Sequence, residues 1–464
     1  MTSLQQNKQY AGTDFTQGSI PLHLMRFLLP FLLANLLSSL YNAVDMIVIG
    51  QWAGSAGTVA VSQGGRMLNL LISVSSGLAN GGQILIAQLI GARKREDVSS
   101  TIGTLFSLLA IISVLLAAAC ISSSNLILSW LNTPQEAFSS ARAYLVITSM
   151  GLPLVFGYNA VSSVLRGMGD SRHPLLFIAI AAVCNLILDI LFITRLQMGA
   201  AGTALATVIG QGIAFLFAVC LLYRQRERFG FDFRPASFQL NKQKALAILN
   251  LGLPLTLKGA FINITQTIML SYVNTFGLVQ AAAYGIGDKI MQFCNIACLS
   301  ISQGGSSLVA QNVGARRYDR ARQVFTTSLA VTMIISLLIS AAALCFPQTF
   351  FRLFSADPEV WDLSKTYMTI LVSAFLLSAL TSSLNTVTVG TGATRLSMIS
   401  GLLDGVVFRI SFSFFFGLTL GMEAAGFFLG NSLARLGPIM VEGVFFLSGA
   451  WKRCKPLIKL AAKE

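Results

Sequence analysis

The sequence predicts an all-α integral membrane protein, with twelve transmembrane helices in two six-helix lobes related by a parallel pseudo-two-fold repeat around a central cavity. Three observations carry that prediction. Of 464 residues, 54% are hydrophobic and only 11% charged, against about 25% charged in soluble domains; mean hydropathy is +0.72. Apolar runs long enough to cross a bilayer recur from one end to the other. The second half repeats landmarks of the first at a nearly constant spacing.

A polar segment, 1–23, comes first. The apolar run after it lacks a short hydrophobic region ending in a small-residue cleavage site, so it reads as a retained helix and not as a signal peptide. The twelve runs are 24–49, 58–90, 99–123, 140–165, 174–194, 197–223, 246–273, 280–313, 323–345, 364–390, 396–418 and 423–449. Arg66 interrupts the second, and Asp288 with Lys289 interrupts the eighth. They group into a first lobe, 24–223, a basic linker, 224–245, a second lobe, 246–449, and a basic tail, 450–464.

Lys and Arg number 32 against 18 Asp and Glu, a net charge of +14. In a soluble protein that balance suggests nucleic acid, but here no basic, aromatic-interleaved domain stands outside the apolar runs, and nucleic acid is excluded as a partner. The basic residues mark topology instead. Counting Arg26, Arg142 and Lys365, at the starts of their helices, with the adjoining loops, 23 lie on the N-terminal side and 4 on the other. Positive charge is retained in the cytoplasm, so both termini are expected there.

The repeat is explicit. Residues 81–96 match 304–319 at 8 of 16 positions, and Pro30 with Pro254, Gly167-x-Gly169 with Gly390-x-Gly392, and Ala200-Ala-Gly202 with Ala424-Ala-Gly426 keep an offset of 223 or 224. Six crossings per half start both halves on the same side, which makes the repeat parallel. Equivalent lobes suit a protein that exposes a site alternately to the two sides.

Ionisable residues inside spanning helices are costly, about 2.5–3.5 kcal/mol each on insertion scales, and each is a candidate site. Asp45 ends a polar stripe with Asn35, Ser38 and Asn42 at i, i+3, i+7 and i+10, and Tyr41 stands one turn before it. Asn185 and Asp189 stack at i, i+4. Two carboxyls in a low dielectric without a counter-ion do not both stay charged, so they can take up and release a proton. The same oxygens can bind a monovalent cation, and they can also merely satisfy one another between helices. At the repeat offset Asp45 falls on Ile268 or Met269 and Asp189 on Phe412 or Ser413, so the acidic chemistry belongs to the first lobe. The second has a polar stripe of Asn263, Gln266, Thr267 and Ser271, and the charges Lys258, Asp288, Lys289, Asp404 and Arg409. Lys258 is open to pairing with Asp404 or Asp288, or to snorkelling toward a helix end.

No enzymatic motif is present. His23 and His173 lack metal-ligand spacing to a second ligand, Cys294 and Cys298 have no evident co-ligands, and nucleotide-binding glycine patterns are absent, so no cofactor is expected. The glycines from Gly77 to Gly82 read as close helix packing.

With the Leu165-Arg-Gly-Met-Gly-Asp-Ser-Arg172, Asn185-x-x-x-Asp189 and Ala87-Gln-x-x-Gly-Ala92 motifs in view, the chain resembles the MATE family of multidrug and toxin extruders, from about residue 20 to 450. Within it the sequence is similar to the DinF-type branch, on Asp45, Tyr41 four residues before it and Pro30 fifteen before it. The carboxylates that the sodium-coupled branch carries in the seventh and tenth helices are missing. The resemblance implies a cation-coupled antiporter, driven by H+ in preference to Na+, that exports organic, often cationic and amphipathic, compounds. By residue-wise carry-over Asp45 and Asp189 are the coupling carboxylates, the place for any monovalent cation. Tyr41, Asn159, Asn185 and Thr207, with Asn42 of the stripe, form the polar network, and Pro30 marks a helix bend. The implied partners are a small organic substrate and the lipid bilayer, with the chain a monomer in the cytoplasmic (inner) membrane of a bacterium. A lipid-linked oligosaccharide flippase of the same superfamily and a non-transporting membrane scaffold are the alternatives.

Overall fold

The computed structural model describes residues 13–52, 54–229 and 231–454, and every regular element among them is a helix. Twelve helical segments succeed one another. In the first half they are α1 (Ile20–Trp52), α2 (Gly54–Gly91), α3 (Arg95–Ser122), α4 (Gln135–Met150 and Leu152–Gly167), α5 (Arg172–Asp189) and α6 (Gly199–Arg224). The second half has α7 (Lys242–Val273), α8 (Leu278–Gly314), α9 (Tyr318–Cys345), α10 (Ser364–Gly390), α11 (Thr394–Leu402 and Arg409–Phe414) and α12 (Glu423–Leu433 and Leu436–Leu447). Among the described residues nine helices are long and apolar enough to cross a membrane, and α4, bent by 46° at its break, makes a tenth. The other two fall short for visible reasons: α8 is interspersed with Gly, Ser, Asn and Gln besides Asp288 and Lys289, and α12 is broken into pieces of 11 and 12 residues.

The described residues divide into two compact units, one built on Leu29–Leu253, the other on Phe15–Leu28 with the chain from Pro254 onward. The cuts fall two residues before Pro30 and at Pro254, the prolines inside α1 and α7. Each proline withholds a backbone donor from its helix.

Inside the first unit α2 packs on α3 and α4, α3 on α4, α4 on α6, and α5 on α6. Within the second, α8 packs on α9 and α10, α9 on α10, α10 on α12, and α11 on α12, the same pattern element for element. The repeat extends to single dihedrals. Arg93 and Arg316 have φ of 60° and 57°, and Gly169 and Gly392 have 85° and 84°. The last two are left-handed helix ends, which explains the second glycine of each Gly-x-Gly motif. The first glycine has a packing reason: a Cβ on Gly167 would stand 2.8 Å from the Gln83 carbonyl, and one on Gly390 2.8 Å from the Ser306 carbonyl. Asp170 of the same motif caps α5, accepting from the Arg172 and His173 N–H groups at 3.0 and 3.2 Å.

Both α5 and the last stretch of α11 run into a π-helical turn, Ile190–Arg195 and Phe415–Thr419, and α11 holds a further one, Leu403–Phe408. The linker is anchored on the first unit. Lys244 Nζ reaches the Asp97 carboxylate at 3.1 Å, and Ser107 donates to the Phe238 carbonyl at 2.5 Å.

Candidate functional site

Asp45 and Asp189 come together. Asp45, 7% exposed, lies on α1, and Asp189, 0% exposed, is the last α-helical residue before the first π-turn. Asn185 sits one helical turn before Asp189 and reaches Asp45 and α6: with its amide assigned the orientation that satisfies both ends, it donates to Asp45 Oδ1 at 2.8 Å and accepts from the Thr207 N–H at 3.3 Å. The Thr207 hydroxyl donates back along α6 to the Thr203 carbonyl at 2.9 Å. No hydrogen-bond partner reaches either oxygen of Asp189 among the described residues, and the Asp45 carboxyl is its acidic neighbour.

The packing of α5 on α6 sets this geometry. A Cβ on Gly210 would lie 3.0 Å from the Ala181 carbonyl and 3.3 Å from Asn185 Cβ, so the missing side chain lets Asn185 approach α6. A small cavity bordered by Ala181, Asn185, Thr207 and Gln211 opens beside it, with about 10 Å³ of space for water centres, room for a single water. Among the described residues neither acid has a basic side chain as ion-pair partner. Isolated carboxylates are not stable when buried, so the pair must carry a proton or attract a cation.

The remaining expected residues fall elsewhere or outside view. Asn159 donates to Ser75 Oγ on α2 at 3.0 Å, not to the acid pair. Pro30 lies inside α1, which is one continuous helix from Ile20 to Trp52. The side chains of Tyr41 and Asn42 lie outside the described residues, although their backbone is helical. Arg166 of the glycine motif bonds Gln83 Oε1 at 3.0 Å and lies over the Phe31 ring.

The second unit corrects one expectation. Lys258 pairs with neither Asp404 nor Asp288: its Nζ stands 3.6 Å from Glu442 Oε1, while Asp404 takes Arg409 at 2.8 Å and Asp288 takes Gln292 at 2.6 Å. Arg409, Asp404 and Asn431 form a buried cluster, in which Asn431 also accepts from Arg409, so Asp404 has its cation partner on its own helix. Glu442, 0% exposed, was the missed residue. Its only sequence signal is that it is the one acid in the interior of the last apolar run.

Comparison with known proteins decides what kind of chain this is. The MatE family model matches residues 30–191 and again 254–415, once in each half. The chain belongs to the MatE family. Membership makes it a multi-span membrane transporter and not an enzyme. The relatives of this MatE protein include a probable multidrug resistance protein, YpnP, of Bacillus subtilis (strain 168), 27% identical over 95% of this chain and 98% of that one. The multidrug export protein MepA of Staphylococcus haemolyticus (strain JCSC1435) is 26% identical over 87% of this chain and 90% of its own length. Among solved structures, a MATE transporter in a straight conformation superposes with a TM-score of 0.87 at 22% identity, over 98% of this chain and 99% of that one. The same protein type in a bent conformation gives 0.88, again at 22% identity. At that identity the structures attest the fold alone.

Proposed function

We propose that this MatE protein exports organic, often cationic and amphipathic, compounds by antiport against an inward ion gradient, with Asp45 and Asp189 the coupling pair and a proton the coupling ion. One observation carries the reading: two buried carboxyls face each other without a described basic partner. Binding an ion there removes repulsion and desolvation together, which gives the loaded and unloaded lobes different preferred packings.

A proton is the coupling ion in this reading because two buried carboxyls without a described basic partner can share one. The relatives described as multidrug resistance and export proteins support the substrate class. The lobes 24–223 and 246–449 alternate access in this reading. Both termini and the linker 224–245 lie in the cytoplasm, the side that holds 23 of the 32 basic residues.

Reconstituted protein given a pH gradient and no ATP should move ethidium, and a sodium gradient alone should not. Transport that needs ATP, or that sodium drives without a pH gradient, would reject the proposal.

A further inference from the structure

We propose that the polar cluster inside the second lobe is a cation-binding cage whose resident cation is the chain's own Lys258 ammonium. The lobe thereby carries a fixed counter-ion, where the first lobe takes its charge from solution. That contrast rests on the proposed function; the cage itself does not.

Five helices of the second unit contribute. Lys258 Nζ, from α7, donates to Ser397 Oγ of α11 at 3.0 Å and stands 3.6 Å from Glu442 Oε1 of α12. The same carboxylate oxygen accepts from Ser400 Oγ at 2.6 Å and from Asn385 Nδ2 of α10 at 3.1 Å. Asn385 also donates to Ser397 Oγ at 2.9 Å, and its oxygen accepts from Ser302 of α8 at 3.0 Å. Glu442 Oε2 has no donor among the described residues, although the residue is wholly buried. Among the described residues the Lys258 ammonium is the one cation within ion-pair distance of it.

Lys258 is built in and does not reach for a helix end. Its side chain is 18% exposed, and its stem is clamped against α11. A Cβ on Gly401 would fall 2.5 Å from Lys258 Cγ, and one on Gly405 2.9 Å from the Phe261 carbonyl carbon. Two glycines therefore admit α7 to the backbone of α11 and fix where the ammonium is delivered. Snorkelling, which needs a free stem, is not how this lysine is accommodated.

A tethered ligand can be cut loose and returned. Lys258→Ala removes Cγ, Cδ, Cε and Nζ, the heavy atoms of n-propylammonium, so that ion should refill the cage. Thermal unfolding of the purified, full-length protein reads the result. With n-propylammonium in tenfold excess over its Kd, the midpoint of Lys258→Ala should rise by about 1–2 °C. Tetramethylammonium, which has charge but no N–H, and n-propanol, which has shape but no charge, should leave it unmoved. Wild type and Lys258→Ala/Glu442→Gln should not respond to n-propylammonium. No response in Lys258→Ala, or an equal one in wild type or in the double variant, would overturn the cage. If Lys258→Ala does not accumulate, Lys258→Met, Glu442→Gln and their combination decide the matter by yield and midpoint. Recovery in the double variant relative to both singles supports the pairing, and a double variant no better than the singles refutes it. None of these readouts involves transport, so failure of the antiport reading and failure of the cage are separable.

Discussion

Asp189→Asn is the sharpest perturbation of the first lobe, because the side chains match in size and the amide supplies a permanent N–H where the acid supplies a removable proton. Among the described residues Asp189 meets no N–H or hydroxyl donor, and the proposed pair of Asp45 and Asp189 exchanges one proton per cycle in this reading. One proton crossing one pH unit carries about 1.4 kcal/mol. At zero membrane potential, with one substrate cation exchanged per proton, that sustains about a tenfold substrate gradient per pH unit. Two protons would sustain about a hundredfold. Proteoliposomes with the potential clamped by valinomycin and potassium, and a series of imposed pH steps, give the steady-state ratio directly. Wild type should follow the tenfold line, and Asp189→Asn should stay near unity at every step while still exchanging substrate downhill. Asp45→Asn should behave alike. The double variant should be little worse than either, since residues acting as one unit are non-additive. Folding should be unharmed, because neutralising a buried acid lowers its cost in the bilayer. An Asp189→Asn line with the wild-type slope would leave the pair a structural contact and refute the coupling argument.

Other sites give independent checks. Asn185→Leu deletes the 2.8 Å bond to Asp45; at about 1.5–3 kcal/mol for a hydrogen bond to a charged group, gradient-driven exchange should slow by about tenfold to a hundredfold, and an unchanged rate would remove Asn185 from the site. A Cβ on Gly103 would sit 1.7 Å from the Ser237 carbonyl. Gly103→Ala should therefore expel the Pro235–Phe238 turn, cost about 1–3 kcal/mol and open the bond after Lys244, a residue only 4% exposed, to trypsin, whereas native-like resistance would contradict the linker anchoring. Burial pushes the Cys454 thiol above its ordinary range, with a bond to Thr391 partly opposing. Below that raised value the thiol keeps its proton and is a poor nucleophile. Maleimide labelling of Cys454 in detergent should be slow at neutral pH and accelerate as pH rises, and labelling at the rate of the unfolded chain would be inconsistent with its packing.

What could be read in the sequence follows from what each signal encodes. Helix extent is written locally as apolar run length, and no boundary of the twelve runs moves by more than five residues, 364–390 being Ser364–Gly390 unchanged. Breaks within helices are not written that way. The 46° bend between Met150 and Leu152 falls at Gly151 with Pro153 just after it, a signal that run length alone passes over, whereas no such residue marks the π-turns after Asp189 and within α11. The acid pair was legible because two charges stood out in apolar runs. Its bridge by Asn185 depended on the register of α1 against α5, which i, i+4 spacing does not supply, and the same gap sent Asn159 to Ser75 instead. Glu442 escaped notice because its meaning lies wholly in a partner on α7.

The two halves show that a duplicated backbone does not oblige duplicated chemistry. Packing order, left-handed caps and the glycine approaches recur at offsets of 223 or 224, so the scaffold imposes them on both lobes. The charges do not recur: Asp45 and Asp189 fall on Ile268 or Met269 and on Phe412 or Ser413, while Glu442 falls back on Ala218 or Val219. An ion shifts a conformational equilibrium only through its differential affinity for the two states. A carboxyl pair without a basic partner has such a difference to offer. Glu442, already beside a clamped ammonium at 3.6 Å, has little left for an ion from solution to change. Drive from one lobe and constancy in the other is therefore the division of labour that the placement of these few charges supports. It makes a definite demand: neutralising Asp45 or Asp189 should abolish gradient-driven accumulation and spare stability, and breaking the Lys258 and Glu442 pair should do the reverse, lowering stability first.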